Sequence, residues 1–374
     1  MKKVLSYLYG MSIIAQVVIC WIRPSDTSWK MTVAVYTIHV CMLLSGGILF
    51  YLSIQRKTRL WLILFGLIFA GFFSCVVSWK FTYVIFVKIC CFLEMVIAPY
   101  AAREIAERGN MLSRLVHFSI LLSSIGFMYL YSLNLETYYS VYFLGQNKNQ
   151  SGVLLLLNFF ASISVLLTNK RETRWVYLPS SIILGGLIAI SRCRTAMLLA
   201  LLYIAILLIG SRIVLSKTSM RAVFSLPAMI MLLLLAFPQL NQASLFGGTG
   251  GLLDGRELIY TSILENVKNW IIMGNLGTYA FSNAHNGTLT IAASLGIIGL
   301  FIWYKGQSYL YEKMRVDNID LKDFHYCAPY IAIMCCLLSA ATEAMIYVQG
   351  QQVAIMLSIL VFLSTETTHK PYQK

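Results

Sequence analysis

The stretch ISRCRTAML (190–198) sets two arginines, Arg192 and Arg194, between two long apolar runs, with no acid nearby in the chain. A third arginine, Arg256, lies in GTGGLLDGRELIY, and His285 lies in FSNAHNGTLTIAASLGIIGL. A guanidinium is a planar fork that matches two phosphate oxygens at once through charge-assisted hydrogen bonds. Three arginines without obvious acidic partners suit a pyrophosphate. Neutral imidazole is what a general base requires, and His285 stands where a helix is expected to begin. Together these residues suit an anionic ligand that bears a pyrophosphate, beside a candidate general base.

Each of them also has a plainer reading. An arginine near the end of a membrane span commonly reaches for headgroups, which applies to Arg192 above all. His285 can serve interfacial packing, and Asn286 beside it can cap a helix rather than meet substrate. Asn149, in GQNKNQSG (145–152), can bind sugar hydroxyls or cap the following helix. Glu343, in AATEAMIY, can orient an arginine or His285, or make a structural hydrogen bond.

The elements that would position these groups follow from composition. The chain has 374 residues, 59% of them hydrophobic and 12% charged. Soluble domains carry about 25% charged residues. A membrane span needs roughly 20 mostly apolar residues. Twelve runs meet that pattern approximately, near 4–22, 31–53, 60–78, 81–100, 115–133, 151–168, 175–190, 195–211, 222–238, 286–304, 326–346 and 349–364. The expected fold is an all-α polytopic membrane protein with about twelve transmembrane helices, one integral membrane domain over 1–374. The first run has no A-x-A-like cleavage end, so it is expected to stay as a helix. The main extracytoplasmic loop is expected at 239–285, between spans nine and ten. There FGGTGG (246–251) reads as flexible, and DGRELIYTSILENVKNWI as an amphipathic helix. Asp254 is its expected N-cap, with Glu257 three residues on. Ile259, Ile263, Val267 and Trp270 are expected to line its apolar face, lying along the membrane–water boundary.

The basic residues orient this arrangement. With the N-terminus placed in the cytoplasm, the inside segments hold twenty Lys and Arg, the outside segments eight, and Lys88 lies within a span. That is the positive-inside pattern, with both termini cytoplasmic. The net charge of +14 is therefore a topology signal. It is not a nucleic-acid footprint, because no soluble segment interleaves basic and aromatic residues. Arg192, Arg194, Arg256 and His285 all fall at the outer level, against the general charge bias. Ionisable groups at a membrane are functional candidates by default. A lipid-linked pyrophosphate would put its charge at this depth. Lys88 and Glu94 share span four but are six residues apart, on different faces, so Glu94 is expected to point into the bundle or a wet cavity. The nine cysteines form no CxxC and read as small apolar core residues, so no metal site is expected from them.

In these segments the chain resembles the O-antigen ligase and O-antigen polymerase superfamily of bacterial envelopes. ISRCRTAML resembles the family's S-x-S-R-T segment, with Arg194 at the arginine. GTGGLLDGRELIY resembles its small-residue stretch followed by G-R, with Arg256 at the arginine. NAHNGTLTIAASLGIIGL resembles its H-N motif followed by G-x-x-G, with His285 at the histidine. GQNKNQSG resembles its earlier N-x-N segment. The resemblance covers roughly the C-terminal 60% of the chain. It implies an enzyme of the bacterial inner membrane that transfers glycans from undecaprenyl pyrophosphate to an acceptor hydroxyl on the outer face. It implies no cofactor and no metal. The implied partners are the lipid-linked donor, the glycan acceptor, the bilayer, and a chain-length regulator and flippase. Carried over, Arg194 and Arg256 hold the pyrophosphate as it leaves, and His285 accepts the hydroxyl proton in a single inverting displacement. Two departures stand out. Cys193 replaces the usual serine beside an extra Arg192, and Asn283 stands where ligases often have a second histidine. The second departure and the compact outer loop favour a polymerase of O-antigen or capsule repeat units. The alternatives are a ligase that passes finished polysaccharide to lipid A–core in lipopolysaccharide synthesis, and a lipid or solute transporter.

Overall fold

The computed structural model describes residues 1–22, 29–54, 58–78, 83–108, 110–133, 142–143, 146–168, 175–209, 217–236, 256–276, 285–314, 324–341 and 350–369. It is an all-α protein of membrane-protein character, and each of the twelve apolar runs contains a helix over its described residues. These are α1 (Lys2–Ile22), α2 (Trp29–Ile54), α3 (Thr58–Ser78), α4 (Tyr83–Arg108), α5 (Asn110–Leu133) and α6 (Lys148–Thr168). After them come α7 (Tyr177–Ser191), α8 (Arg194–Ile209) and α9 (Lys217–Ala236). The loop helix α10 (Arg256–Glu265) precedes α11 (Gly287–Met314), α12 (Phe324–Leu338) and α13 (Gly350–His369). A two-residue antiparallel ladder, Tyr142–Phe143 with Gln146–Asn147, leads into α6. Among the described residues, four helices are long and apolar enough to cross a membrane: Val33–Leu52, Met111–Leu133, Ser151–Thr168 and Gly287–Gly306.

Two helices form the centre. On α13, Ala354 to Leu363 are buried on every side, and on α6 so are Gly152 to Ser162. A helix that is apolar all round belongs in the interior. α13 packs on α4, α6, α1, α12 and α5, while α6 packs on α7, α12 and α8. The periphery is apolar as well. Leu62, Phe65, Phe69 and Phe72 of α3 and Leu201 and Leu208 of α8 all stand exposed. So large an exposed apolar surface needs lipid rather than water against it.

Several polar groups inside the bundle pair across helices. Ser162 of α6 bonds the hydroxyls of Ser180 and Ser181 of α7, each at 3.0 Å. The Tyr203 hydroxyl of α8 donates to the Ala328 carbonyl of α12 at 3.2 Å. In lipid an unmet polar group costs several kcal/mol, so such bonds select the packing register.

One helix is not continuous. α11 breaks at Gly296, where φ is 74° and ψ 177°. The segment after α10 inserts there: the Ile297 amide donates to the Ile271 carbonyl at 2.8 Å, and the Asn275 amide to the Ala293 carbonyl at 2.9 Å. A Cβ on Gly296 would lie 2.1 Å from the Ile272 carbonyl oxygen, and one on Gly274 2.3 Å from that of Ser294. Only glycine fits both sides of that approach. Ser74 of α3 closes the break, donating to the Ser294 carbonyl at 2.6 Å and accepting from the Leu276 amide at 2.8 Å. Non-helical backbone at membrane depth persists only where protein satisfies it, and here protein does.

The loop helix differs from the sequence expectation in two respects. It ends at Glu265, and a 3-10 turn, Val267–Asn269, carries the chain to Trp270. Of its expected apolar face, Ile263 and Trp270 are buried and Val267 half-buried, but Ile259 is 37% exposed and Tyr260 is buried in its place. The reason is the surface it meets. Tyr260, Ile263 and Trp270 pack on Leu289, Ala292 and Ala293 of α11, so the helix docks on protein. Asp254 lies outside the described residues, as does the side chain of Glu257.

Candidate functional site

Arg192 and Arg194 flank the turn between α7 and α8. Arg192 caps α7 in the left-handed region, at φ 53° and ψ 19°, with its amide donating to the Ala189 carbonyl. Cys193 then opens α8, its carbonyl accepting from the Met197 amide at 3.0 Å. Arg192 is exposed and Arg194 half-buried.

The turn is pinned against α6. A Cβ on Gly152 would meet the Cys193 Cβ at 2.3 Å and its Sγ at 2.7 Å. The first turn of α6 therefore touches the arginine turn through a residue that has no room to grow. Asn149, half-buried, begins that turn of α6 three residues earlier. Two polar segments far apart in sequence thus become neighbours.

His285 and Asn286 form the entry to α11. Asn286 is wholly buried and its side chain is engaged at both ends. Its Oδ1 accepts from the Leu289 amide at 2.9 Å, the N-cap bond. Its Nδ2 donates to the carbonyls of Pro227 on α9 at 3.1 Å and of Ala341 at 3.3 Å. The helix-capping reading therefore describes Asn286 better than the substrate-binding one. It is a positioning residue that fixes the chain immediately after His285. α9 continues to Ala236 beyond Pro227, so the pair sits below the end of that helix. His285 is half-buried, with φ 49°.

Arg256 joins through Tyr260. It starts α10 one helical turn before Tyr260, on the same face. The Tyr260 hydroxyl donates to the His285 carbonyl at 3.3 Å. On the other side, Ala341 ends the 3-10 turn Ser339–Ala341, which packs against α8, α9, α11 and α12. The Tyr203–Ala328 bond sets α12 against α8 in register. Nine residues back along α8 from Tyr203, and nine forward along α12 from Ala328, reach Arg194 and Leu337. The turn at 339–341 therefore meets the Arg194 end of α8.

Bonds thus link Tyr260 to His285 and Asn286 to the 339–341 turn, which packs on α8, while Gly152 meets Cys193; Arg256, Arg194 and Asn149 stand on the elements so joined. Glu343 lies outside the described residues, two positions past Ala341. Among the described non-glycine residues, only Arg192 and His285 have a positive φ. Backbone held in that region costs of order 1–3 kcal/mol and clusters at functional sites.

Sequence reasoning missed one group. Glu94 does point into the bundle, where its carboxylate oxygens stand 3.0 and 3.3 Å from Nδ1 of His39 on α2. Both are buried. The side chain of Lys88 lies outside the described residues. One signal was available: His39 lies ten residues from the start of α2 and Glu94 eleven from the start of α4, both on helices entering from the same side. Comparison with known proteins gives no relative: no family model matches the chain, and no curated protein does.

Proposed function

We propose that the chain is a membrane glycosyltransferase that polymerises undecaprenyl-pyrophosphate-linked O-antigen or capsule repeat units at the outer face of the bacterial inner membrane. The helices of the twelve apolar runs are read as spans, with both termini cytoplasmic. The observation behind the proposal is that the Tyr260–His285 and Asn286–Ala341 bonds, with the 339–341 turn packed on α8, join the elements that carry Arg256, His285 and Arg194, drawn from separate parts of the chain. In the reaction, the acceptor hydroxyl attacks the anomeric carbon of the donor glycan. The bond from that carbon to the pyrophosphate oxygen breaks as the new glycosidic bond forms, with inversion. His285 takes the hydroxyl proton, and Arg194 and Arg256 stabilise the charge that gathers on the pyrophosphate. Stabilising developing charge is usually the largest single catalytic contribution.

The test is a strain lacking the gene, complemented with Arg194→Ala, Arg256→Ala or His285→Ala variants. Surface glycan shortened to single repeat units supports the proposal; full polymer length and yield from the variants removes it. A ligase, which would use the same donor and residues, predicts instead that loss of the gene leaves finished polymer on undecaprenyl pyrophosphate. A carrier of anionic lipid is a second reading, favoured by the break in α11, because carriers use broken helices to build midplane sites. Against it, the backbone groups freed at Gly296 are spent on Ser74 and on residues 271–276. Product formed from lipid-linked donor by the purified protein rules out pure transport.

A further inference from the structure

We propose that His39, Cys91 and Glu94 form a binding site for one divalent transition-metal ion, with zinc the best match, inside the helix bundle. Cys91 and Glu94 are three apart on α4 and so share a face, and His39 opposes them from α2. The imidazole, thiol and carboxylate donor atoms all lie within 4.8 Å of one another, and all three residues are buried. Around a tetrahedral ion with bonds of 2.0–2.3 Å, neighbouring donors stand about 3.3–3.8 Å apart. His39 Nδ1 and the Glu94 oxygens, at 3.0 and 3.3 Å, are already at or just inside that separation.

Charge gives the second reason. Ionisable groups this deep in a bundle are expensive. A divalent ion held by one carboxylate, one thiolate and a neutral imidazole is neutral overall. Metal ligands bind deprotonated, so the ion takes the place of whatever protons the imidazole, thiol and carboxylate hold, and those protons leave to solvent. The mixed nitrogen, sulfur and oxygen donors fit zinc or a similar first-row ion. They do not fit calcium or magnesium, which take oxygen ligands.

A third helix adds an independent observation. Tyr9 of α1 is 1% exposed, and its hydroxyl has no hydrogen-bond partner among the described residues. Its ring lies against Gly46 of α2, where an added Cβ would meet it at 2.8 Å and Ile97 of α4, three residues past Glu94, at 3.1 Å. A partnerless hydroxyl at this position suits a fourth donor, or a hydrogen bond to a water on the ion. The site lies ten and eleven residues into α2 and α4, about 15 Å below their ends at a rise of 1.5 Å per residue. It would tie α2, α4 and α1 together, apart from the arginines and His285. The inference does not depend on the glycosyl-transfer reading.

Full-length protein in detergent, stripped with a chelator, is titrated with cobalt(II). One equivalent per chain should raise a near-ultraviolet sulfur-to-cobalt charge-transfer band together with visible bands of tetrahedral cobalt, and zinc should abolish both. Cys91→Ser should lose the charge-transfer band, and His39→Ala or Glu94→Gln should weaken binding at least tenfold. A wild-type protein with no band overturns the proposal and leaves a His39–Glu94 hydrogen bond only. A band that survives Cys91→Ser also overturns it, by placing the metal on another cysteine. The wild-type titration decides even if a variant fails to fold.

Discussion

Arg192 and Arg194 are two residues apart but occupy different environments, and that separates their expected roles. Arg194 is half-buried at the start of α8, the helix on which the 339–341 turn packs; Arg192 is exposed and sits at φ 53°. For the purified protein acting on a lipid-linked donor, Arg194→Ala should lower the rate about 10²-fold or more, the usual loss when one group that stabilises developing charge is removed. Arg194→Lys should recover only part of it, since an ammonium cannot make the paired contact of a guanidinium. Arg192→Ala should stay within several-fold of wild type if that residue only reaches for headgroups. Arg192→Gly separates backbone from charge. Glycine occupies the left-handed region without the cost of about 1–2 kcal/mol per residue that other side chains carry. The glycine variant should therefore unfold at a higher temperature than the alanine variant, and equal rates in the two would show that the strain has no part in catalysis.

At the scale of elements, the break in α11 can be tested against a built-in control. Gly296→Ala would drive a Cβ to 2.1 Å from a carbonyl oxygen, at a backbone angle that alanine avoids. It should cost about 3 kcal/mol or more, through strain and the lost Ile297–Ile271 pairing. Gly47→Ala on α2 meets nothing within 4 Å. It should be neutral, or stabilise by about 0.5–1 kcal/mol through helix propensity. Ser74→Ala strips a buried carbonyl and a buried amide of the same partner, at about 1–3 kcal/mol for each, so it should cost clearly more than Gly47→Ala. Thermal unfolding in one detergent, followed by tryptophan fluorescence, ranks all three; equal midpoints for Gly296→Ala and Gly47→Ala would refute the clamp. The loop helix gives a local test. Trp270 is buried against α11 and its indole donates to the Ile263 carbonyl at 2.8 Å. Trp270→Ala should cost about 3–5 kcal/mol of docking. Lys268, exposed beside it, should then be cut by trypsin in a protein whose membrane helices still resist.

For the whole molecule, the helices were legible because lipid imposes one rule on the sequence: long apolar runs, ended by polar or charged residues. The starts of α6, α8 and α11 fall within three residues of the expected ones for that reason. The break at Gly296 was not legible, because hydropathy is uniform across it and only a distant segment opens the helix. On α10 the sequence pattern named Ile259 where Tyr260 is buried, since adjacent residues on a helix point about 100° apart and the docking partner decides between them. The polar segments stood out one by one against an apolar chain. Their convergence rests on fits such as Gly152 on Cys193, which no local pattern encodes. What the charge count does predict is orientation, and the outer-face reaction depends on it. In a protein freed of its native cysteines, with Cys193 replaced by serine to keep the space beside Gly152, a single cysteine is placed at Asn269 or at Lys3, both exposed. A membrane-impermeant maleimide should label Asn269→Cys in intact spheroplasts and Lys3→Cys only after lysis. The reverse pattern would put Arg194, Arg256 and His285 on the cytoplasmic side, where a donor displayed on the outer leaflet cannot reach them, and the proposed reaction would fall with the topology.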